Sequence, residues 1–309
     1  MIISASRRTD IPAFYSAWFM RRLEAEYCTV VNPFNHKQIS YVSLKPEDVD
    51  AIVFWTRNAK PLLPYLTTLN TKKIPYYFQY TITGYPKILE SNTPDLNEAI
   101  TTFQILSEQI GADRVIWRYD PICQTNITDC EWHIKQFTYL AQALRGKTKR
   151  VIISIVDNYR KAEQNFRALA TQGIVLEKPS LEEIGLLMQT LAKIAQENNI
   201  EIFSCAERLD LTPYGIKPGK CIDDVYLKKV FGISVKQNKD KGQRPECGCI
   251  QSKDIGAYDT CLHGCTYCYA GTLKAGRTNY KEHDINSPSL IGFHDITIKP
   301  LKNEQGKLF

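Results

Sequence analysis

The feature that most restricts the fold of this chain is an alternation. Short runs of β-branched and aromatic residues take turns with amphipathic helical stretches through the first two-thirds of the sequence. That pattern predicts parallel strands joined by crossover helices. Strands are expected at 2–6, 29–32, 51–55, 76–83, 114–117, 151–156 and 201–204. A helix is expected after Pro12, with Phe14, Trp18, Phe19 and Leu23 on one face. A second begins near Asp95, buries Leu96, Ile100, Phe103 and Leu106, and stops at Gly111. Thr128 with Glu131, and Ser180 with Glu183, read as capping boxes for two more. Seven strand–helix units are visible, and an eighth strand is either short, near 249–252, or missing. The expected fold is α/β: a (β/α) barrel, TIM-like or partial, with seven to eight parallel strands. A doubly wound open sheet is the alternative.

The length, 309 residues, suits one such barrel, which typically takes roughly 250. Residues 1–207 are assigned to the barrel body. Beyond them the pattern weakens into loops and one helix at 223–231, so 208–309 are read as a cysteine-rich, metal-binding extension packed on the barrel mouth. No apolar run approaches the roughly 20 residues of a membrane helix, and the N-terminus is charged too soon for a signal peptide. These readings place the protein in the cytoplasm, away from membranes. The net charge is +6, much of it in a segment carrying Lys228, Lys229, Lys236, Lys239, Lys241 and Arg244. That segment reads as a solvated basic loop, with a nucleic acid or other anionic partner as the alternative.

Cysteine distribution carries the functional information. Of ten cysteines, five lie between Cys247 and Cys268. In a reducing compartment such crowding reads as metal ligation rather than cross-linking. Cys28, Cys123 and Cys130 are scattered and read as small core residues. Cys261, Cys265 and Cys268 are spaced C-x3-C-x2-C on a tight loop with Gly264. A [4Fe–4S] cluster normally takes four thiolates. Three would leave one iron open, as reactive metal sites require. Cys247 and Cys249 form a second pair, with Cys221 and Cys205 upstream. They are read either as ligands of a second Fe–S cluster or zinc, or as a source of the fourth ligand that closes the first site. His263, inside the loop, is read as a supporting residue.

The loop resembles the cluster-binding motif of the radical S-adenosylmethionine (SAM) enzymes, with Tyr267 at its aromatic position. The run Cys265 to Ala270 is similar to that of spore photoproduct lyase and its relatives. From Ser4-Ala5-Ser6-Arg7-Arg8-Thr9-Asp10 to Tyr269, the chain resembles a bacterial domain-of-unknown-function family. That family is noted for a C-terminal cysteine cluster like the N-terminal one of radical SAM enzymes. The resemblance implies a [4Fe–4S] cluster on Cys261, Cys265 and Cys268, bound SAM, a 5′-deoxyadenosyl radical, and an electron donor such as flavodoxin or ferredoxin. Radical SAM enzymes commonly hold the SAM amino group with a Gly-Gly-Glu-like run, which this chain lacks. In a circularly permuted reading, Asp10 takes that place.

The ends of barrel strands are where active sites form. Those positions hold Arg7, Arg8 and Asp10; Asn32; Thr56, Arg57 and Asn58; Thr81; Arg118 and Asp120; Asp157 and Asn158; and Glu207. Arg7, Arg57 and Arg118 converging on one mouth would suit a small anionic substrate or the SAM carboxylate. Asp120 or Glu207 would hold the SAM amino group or its ribose. The rival reading is a non-radical barrel protein with a structural zinc or Fe–S site, acting as a hydrolase or an anion- or nucleic-acid-binding module.

Overall fold

The computed structural model describes residues 1–156 and 160–296. Its strands are β1 (Ile2–Ala5), β2 (Tyr27–Asn32), β3 (Asn35–Ser43), β4 (Ala51–Thr56), β5 (Tyr76–Thr81), β6 (Val115–Ile122), β7 (Arg150–Ile155), β8 (Glu201–Cys205), β9 (Lys217–Gly219) and β10 (Lys253–Asp254). Eight of them form one sheet in the order β10-β1-β4-β5-β6-β7-β8-β9, and every neighbouring pair is parallel. From β1 to β9 the order follows the sequence without the reversal that defines a doubly wound sheet. The sheet is that of a partial (β/α) barrel. Its edge strands β9 and β10 are not paired with each other among the described residues. The gap is spanned by one backbone hydrogen bond, Ile250 N–H to Ile222 O at 3.1 Å.

The helices are α1 (Ile11–Phe14), α2 (Ser16–Ala25), α3 (Leu66–Thr71), α4 (Leu96–Ile110), α5 (Cys130–Ala143), α6 (Arg160–Ala170), α7 (Leu181–Glu197), α8 (Asp224–Phe231) and α9 (Leu273–Asn279). Alternate side chains of a strand point to opposite faces. Ile3, Ile52, Phe54, Phe78, Trp117 and Ile153 therefore join one core with residues of α2, α4, α5 and α7. Ile2, Val53, Tyr77, Ile116 and Ile152 face the other way, into a smaller core with Tyr226 and Leu227 of α8 and with Cys221, Cys247 and Cys249. The segment beyond residue 207 thus supplies both edge strands and packs α8 against the inner face, as well as reaching the mouth. Arg150 holds α8 there through a 2.9 Å ion pair to Asp223, the residue that caps the helix.

Two local expectations change. The strand expected at 29–32 is not in the main sheet. It is β2 of an antiparallel hairpin with β3, turned at Pro33-Phe34, where Asn32 pairs with Asn35. A short proline- and asparagine-bearing turn between two extended runs is a hairpin signal that outranks the barrel pattern. The cap of α5 is Asp129, whose side chain accepts from Trp132 N–H. Thr128 is instead bound to Cys123 O and Thr125. The Ser180–Glu183 capping box is present, and α4 runs between Asp95 and Gly111 as expected.

Candidate functional site at the strand ends

One cavity of about 420 Å³ opens at the C-terminal ends of the parallel strands. This is the size class of small-molecule sites. Its lining runs around the barrel: Arg7 and Asp10 after β1, Arg57 after β4, Arg118 and Asp120 in β6, Ser154 in β7 and Cys205 in β8. Cys261, Cys265, Tyr267 and Cys268 line the same cavity, and so do Cys221, Cys247 and Cys249. Thr81 and Arg8 also belong to it. Asn32 lies in the hairpin instead. Asp157 and Asn158 fall outside the described residues.

The cysteine loop is fastened to the mouth by polar contacts along its length. His263, 2% exposed, places Nε2 2.7 Å from Asp10 Oδ2. Tyr267 donates its hydroxyl proton to Glu90 and accepts from Arg57 Nη2 at 2.7 Å. Asn92 N–H donates to His263 O, and Thr266 N–H donates to Leu89 O. The hydroxyl of Tyr15 reaches Thr260 O at 2.7 Å. Gly264 sits at φ +69°, in the left-handed region, and a Cβ there would come within 2.3 Å of Ser91 Oγ. Burial pushes the Cys265 thiol up to about 12 despite Arg57 nearby, and it raises Cys261 as well, with Asp10 and the other loop thiols adding to the effect.

The arginines converge on the mouth, but each has a carboxylate partner. Arg57 pairs with Glu90 at 2.7 Å, Arg7 with Asp240 at 3.2 Å, and Arg118 with Asp120. Arg7 and Arg118 stack on Trp55, 5.4 and 5.1 Å from its ring centre. Two of these buried donors, Arg7 Nη2 and Trp55 Nε1, have no partner among the described residues.

The acids expected to hold SAM are engaged by the protein. Asp10 accepts from Ala13 N–H, Arg57 N–H and His263. Asp120 accepts from Arg118 and Ser154. Glu207 accepts from Ile155 N–H at 2.7 Å and does not line the cavity. Sequence reading missed Glu90, a 3% exposed carboxylate that gathers Arg57, Thr83 and Tyr267. No strand end or motif marks it.

All ten cysteines are unbridged. Among the described residues, no three His, Cys, Asp or Glu side chains are placed so that they hold a metal ion as they stand. No helix among them is long and apolar enough to cross a membrane.

The family described as "Domain of unknown function (DUF1848)" matches residues 2–270. No curated protein matches the chain. Among solved structures, a D-hydantoinase is similar at 11% identity and a TM-score of 0.29, over 65% of this chain and 38% of that one. The chain therefore spans under two-fifths of that enzyme. A putative alpha-L-fucosidase from Bacteroides thetaiotaomicron is similar at 10% identity and a TM-score of 0.28, over 77% of this chain and 82% of that one.

Proposed function

We propose that this chain, which belongs to the DUF1848 family, is a radical SAM-like iron–sulfur enzyme. Cys261, Cys265 and Cys268 would hold a [4Fe–4S] cluster. The observation that carries this reading is that these three thiols line one strand-end cavity together with two partnerless buried donors, Arg7 Nη2 and Trp55 Nε1. Three thiolates leave an open position on a cluster. The donors offer hydrogen bonds to a carboxylate or another anionic group beside it.

Such a cluster, held by Cys261, Cys265 and Cys268, would supply the one electron that cleaves SAM into methionine and a 5′-deoxyadenosyl radical. The chain's own residues serve around that chemistry. Asp10 and His263 orient the loop. Glu90, Arg57 and Tyr267 fix its far side. Arg7, Trp55 and Arg118 form a cationic, aromatic wall suited to a small anionic substrate. Asp10 or Asp120, both lining the cavity, would hold the SAM amino group with the acceptor capacity that their protein donors leave. The unbridged cysteines suit a reducing cytoplasm, where flavodoxin or ferredoxin would deliver the electron.

The test is anaerobic reconstitution with iron and sulfide, reduction with dithionite, addition of SAM, and assay of 5′-deoxyadenosine. Product that disappears in Cys268→Ala supports the reading. A fully loaded cluster that neither cleaves nor binds SAM overturns it in favour of an electron-transfer or structural metal protein.

A further inference from the structure

A second set of thiols meets where β8 and β9 border the cavity. Cys205 ends β8, Cys221 follows β9, and Cys247 and Cys249 lie on the return segment leading to β10. Cys205 Sγ and Cys221 Sγ are 3.2 Å apart. Cys249 lies close enough to Cys221 and Cys247 for each to perturb its thiol. Three of the four residues are nearly inaccessible: Cys221 is 2% exposed, Cys247 7% and Cys249 3%.

The surroundings supply donors to sulfur. Cys221 N–H and Ile222 N–H point at Cys249 Sγ at 3.3 and 3.4 Å. Arg118 Nη1 donates to Cys221 Sγ at 2.8 Å. A thiol is a weak acceptor and a thiolate a strong one, so this donor set favours sulfur in its ligating form. Backbone geometry is fixed from outside the group. Tyr77 Oη and Gln79 Nε2 both donate to Cys221 O, at 2.7 and 2.8 Å. Asp240 N–H donates to Cys249 O at 3.0 Å. Gly248, between the paired cysteines, lies against Lys220; a Cβ there would stand 3.1 Å from Lys220 Cγ.

We propose that Cys205, Cys221, Cys247 and Cys249 form a closed tetrathiolate site for a single zinc-like divalent cation, separate from the three loop cysteines. As they stand the four sulfurs do not enclose an ion, and the spacing of the Cys205–Cys221 pair favours one ion over a cluster. Zn–S bonds of about 2.3 Å in a tetrahedron put sulfurs about 3.8 Å apart. The Cys205–Cys221 pair, at 3.2 Å, needs to open by only roughly half an ångström to reach that edge. A cubane would drive the same sulfurs much farther apart. The site has a structural consequence. Two ligands belong to the β8–β9 edge and two to the segment entering β10, so one ion would clamp the seam where the sheet's edges approach. Four protein ligands leave no open position, so the role is structural rather than catalytic.

The site is independent of SAM chemistry, and so is its test. The unmodified chain is produced with zinc, and metal content is measured together with X-ray absorption at the zinc edge. One zinc per chain in a shell of four sulfurs is expected. Cobalt added to Cys261→Ala/Cys265→Ala/Cys268→Ala should give sulfur-to-cobalt charge transfer and tetrahedral d–d bands at one equivalent. Adding Cys249→Ser should cut cobalt affinity at least tenfold. Zinc bound through nitrogen or oxygen overturns the proposal. So does a native chain holding less than a tenth of an equivalent, or one in which Cys205 and Cys221 are joined as a disulfide. If the multiple variants fail to fold, the absorption spectrum of the unmodified chain still decides.

Discussion

His263 Nε2 lies 2.7 Å from Asp10 Oδ2, joining the cysteine loop to the first strand end across 253 residues of sequence. Asp10 is almost fully committed: its other oxygen caps α1 through Ala13 N–H, and Oδ2 also accepts from Arg57 N–H at 2.7 Å. One buried carboxylate therefore sets the positions of a helix start, a strand end and the cysteine loop. The loop's own sequence is too short to hold a shape, so its thiols depend on contacts of this kind.

Asp10→Asn removes the negative charge and, in either amide orientation, sets an N–H against at least one backbone donor that now points at a carboxylate oxygen. Hydrogen bonds to charged groups contribute about 1.5–3 kcal/mol each. The variant is expected to lose stability of that order and to release reconstituted iron several-fold faster under chelator. Unchanged thermal melting together with unchanged iron release would show that the Asp10–His263 contact does not position the loop.

Glu90→Gln tests the opposite side of the loop. Glu90 is the carboxylate partner of Arg57, whose side chain is only 14% exposed, and it also receives Tyr267 and Thr83. Removing one partner of a buried pair leaves an uncompensated charge and costs about 3–5 kcal/mol. A melting temperature lowered by several degrees is expected, with Glu90→Asp partly restoring it. Equal melting in Glu90→Gln would mean that water reaches Arg57 and that the cluster of contacts is not dry.

The general plan of the fold was legible, and the reasons for the misses are local. Polar residues after Ala5, Trp55 and Trp117 marked the mouth correctly because parallel strands deliver their C-terminal ends to one side. The edge strands were harder. Lys217–Gly219 contains a proline and a glycine and has no alternating pattern, and Lys253–Asp254 is two residues long. Their register comes from contacts across the chain, such as Asp254 accepting from Ser4, Ser6 and Arg7 N–H. The pairing of Arg57 and Arg7 with carboxylates was equally invisible, since Glu90 and Asp240 lie on loops far from their partners in sequence, unlike Asp120 beside Arg118. Cys205 and Cys221 are sixteen residues apart, a spacing that suggests no pair until β8 and β9 are aligned.

His133 gives the protein a predictable response to acid. It is wholly buried, with Nδ1 2.8 Å from Tyr119 Oη and Nε2 3.2 Å from Cys123 O. A neutral ring protonated on Nε2 satisfies both, accepting from the tyrosine and donating to the carbonyl. Burial lowers its pKa from 6.5 to about 4. The folded state therefore refuses a proton that the unfolded chain accepts. Stability from this residue is complete above pH 6.5 and declines as pH falls toward 4, by a total of about 3 kcal/mol. Urea melts between pH 7.5 and 4 should show this slope, and His133→Gln should flatten it relative to the unmodified chain. Parallel pH profiles for the two proteins would exclude His133 as the source.

The cysteines themselves divide into groups that iron content should separate. Cys261, Cys265 and Cys268 line the mouth cavity, whereas Cys28 and Cys123 are fully buried away from it. Alanine at any loop position should remove most of the reconstituted iron, because two thiolates hold a cluster poorly. Cys28→Ala and Cys123→Ala should keep their iron and lose only about 1 kcal/mol of stability, the cost of a small core truncation. Cys249→Ala discriminates further. If the two thiol groups are separate, it keeps iron at the loop and loses zinc. If Cys249 instead supplies a fourth ligand to the loop cluster, iron falls in this variant as well. Iron and zinc measured per chain on the same samples, with cluster absorbance as a control, distinguish the two arrangements. Full iron in Cys265→Ala would remove the loop as the cluster site.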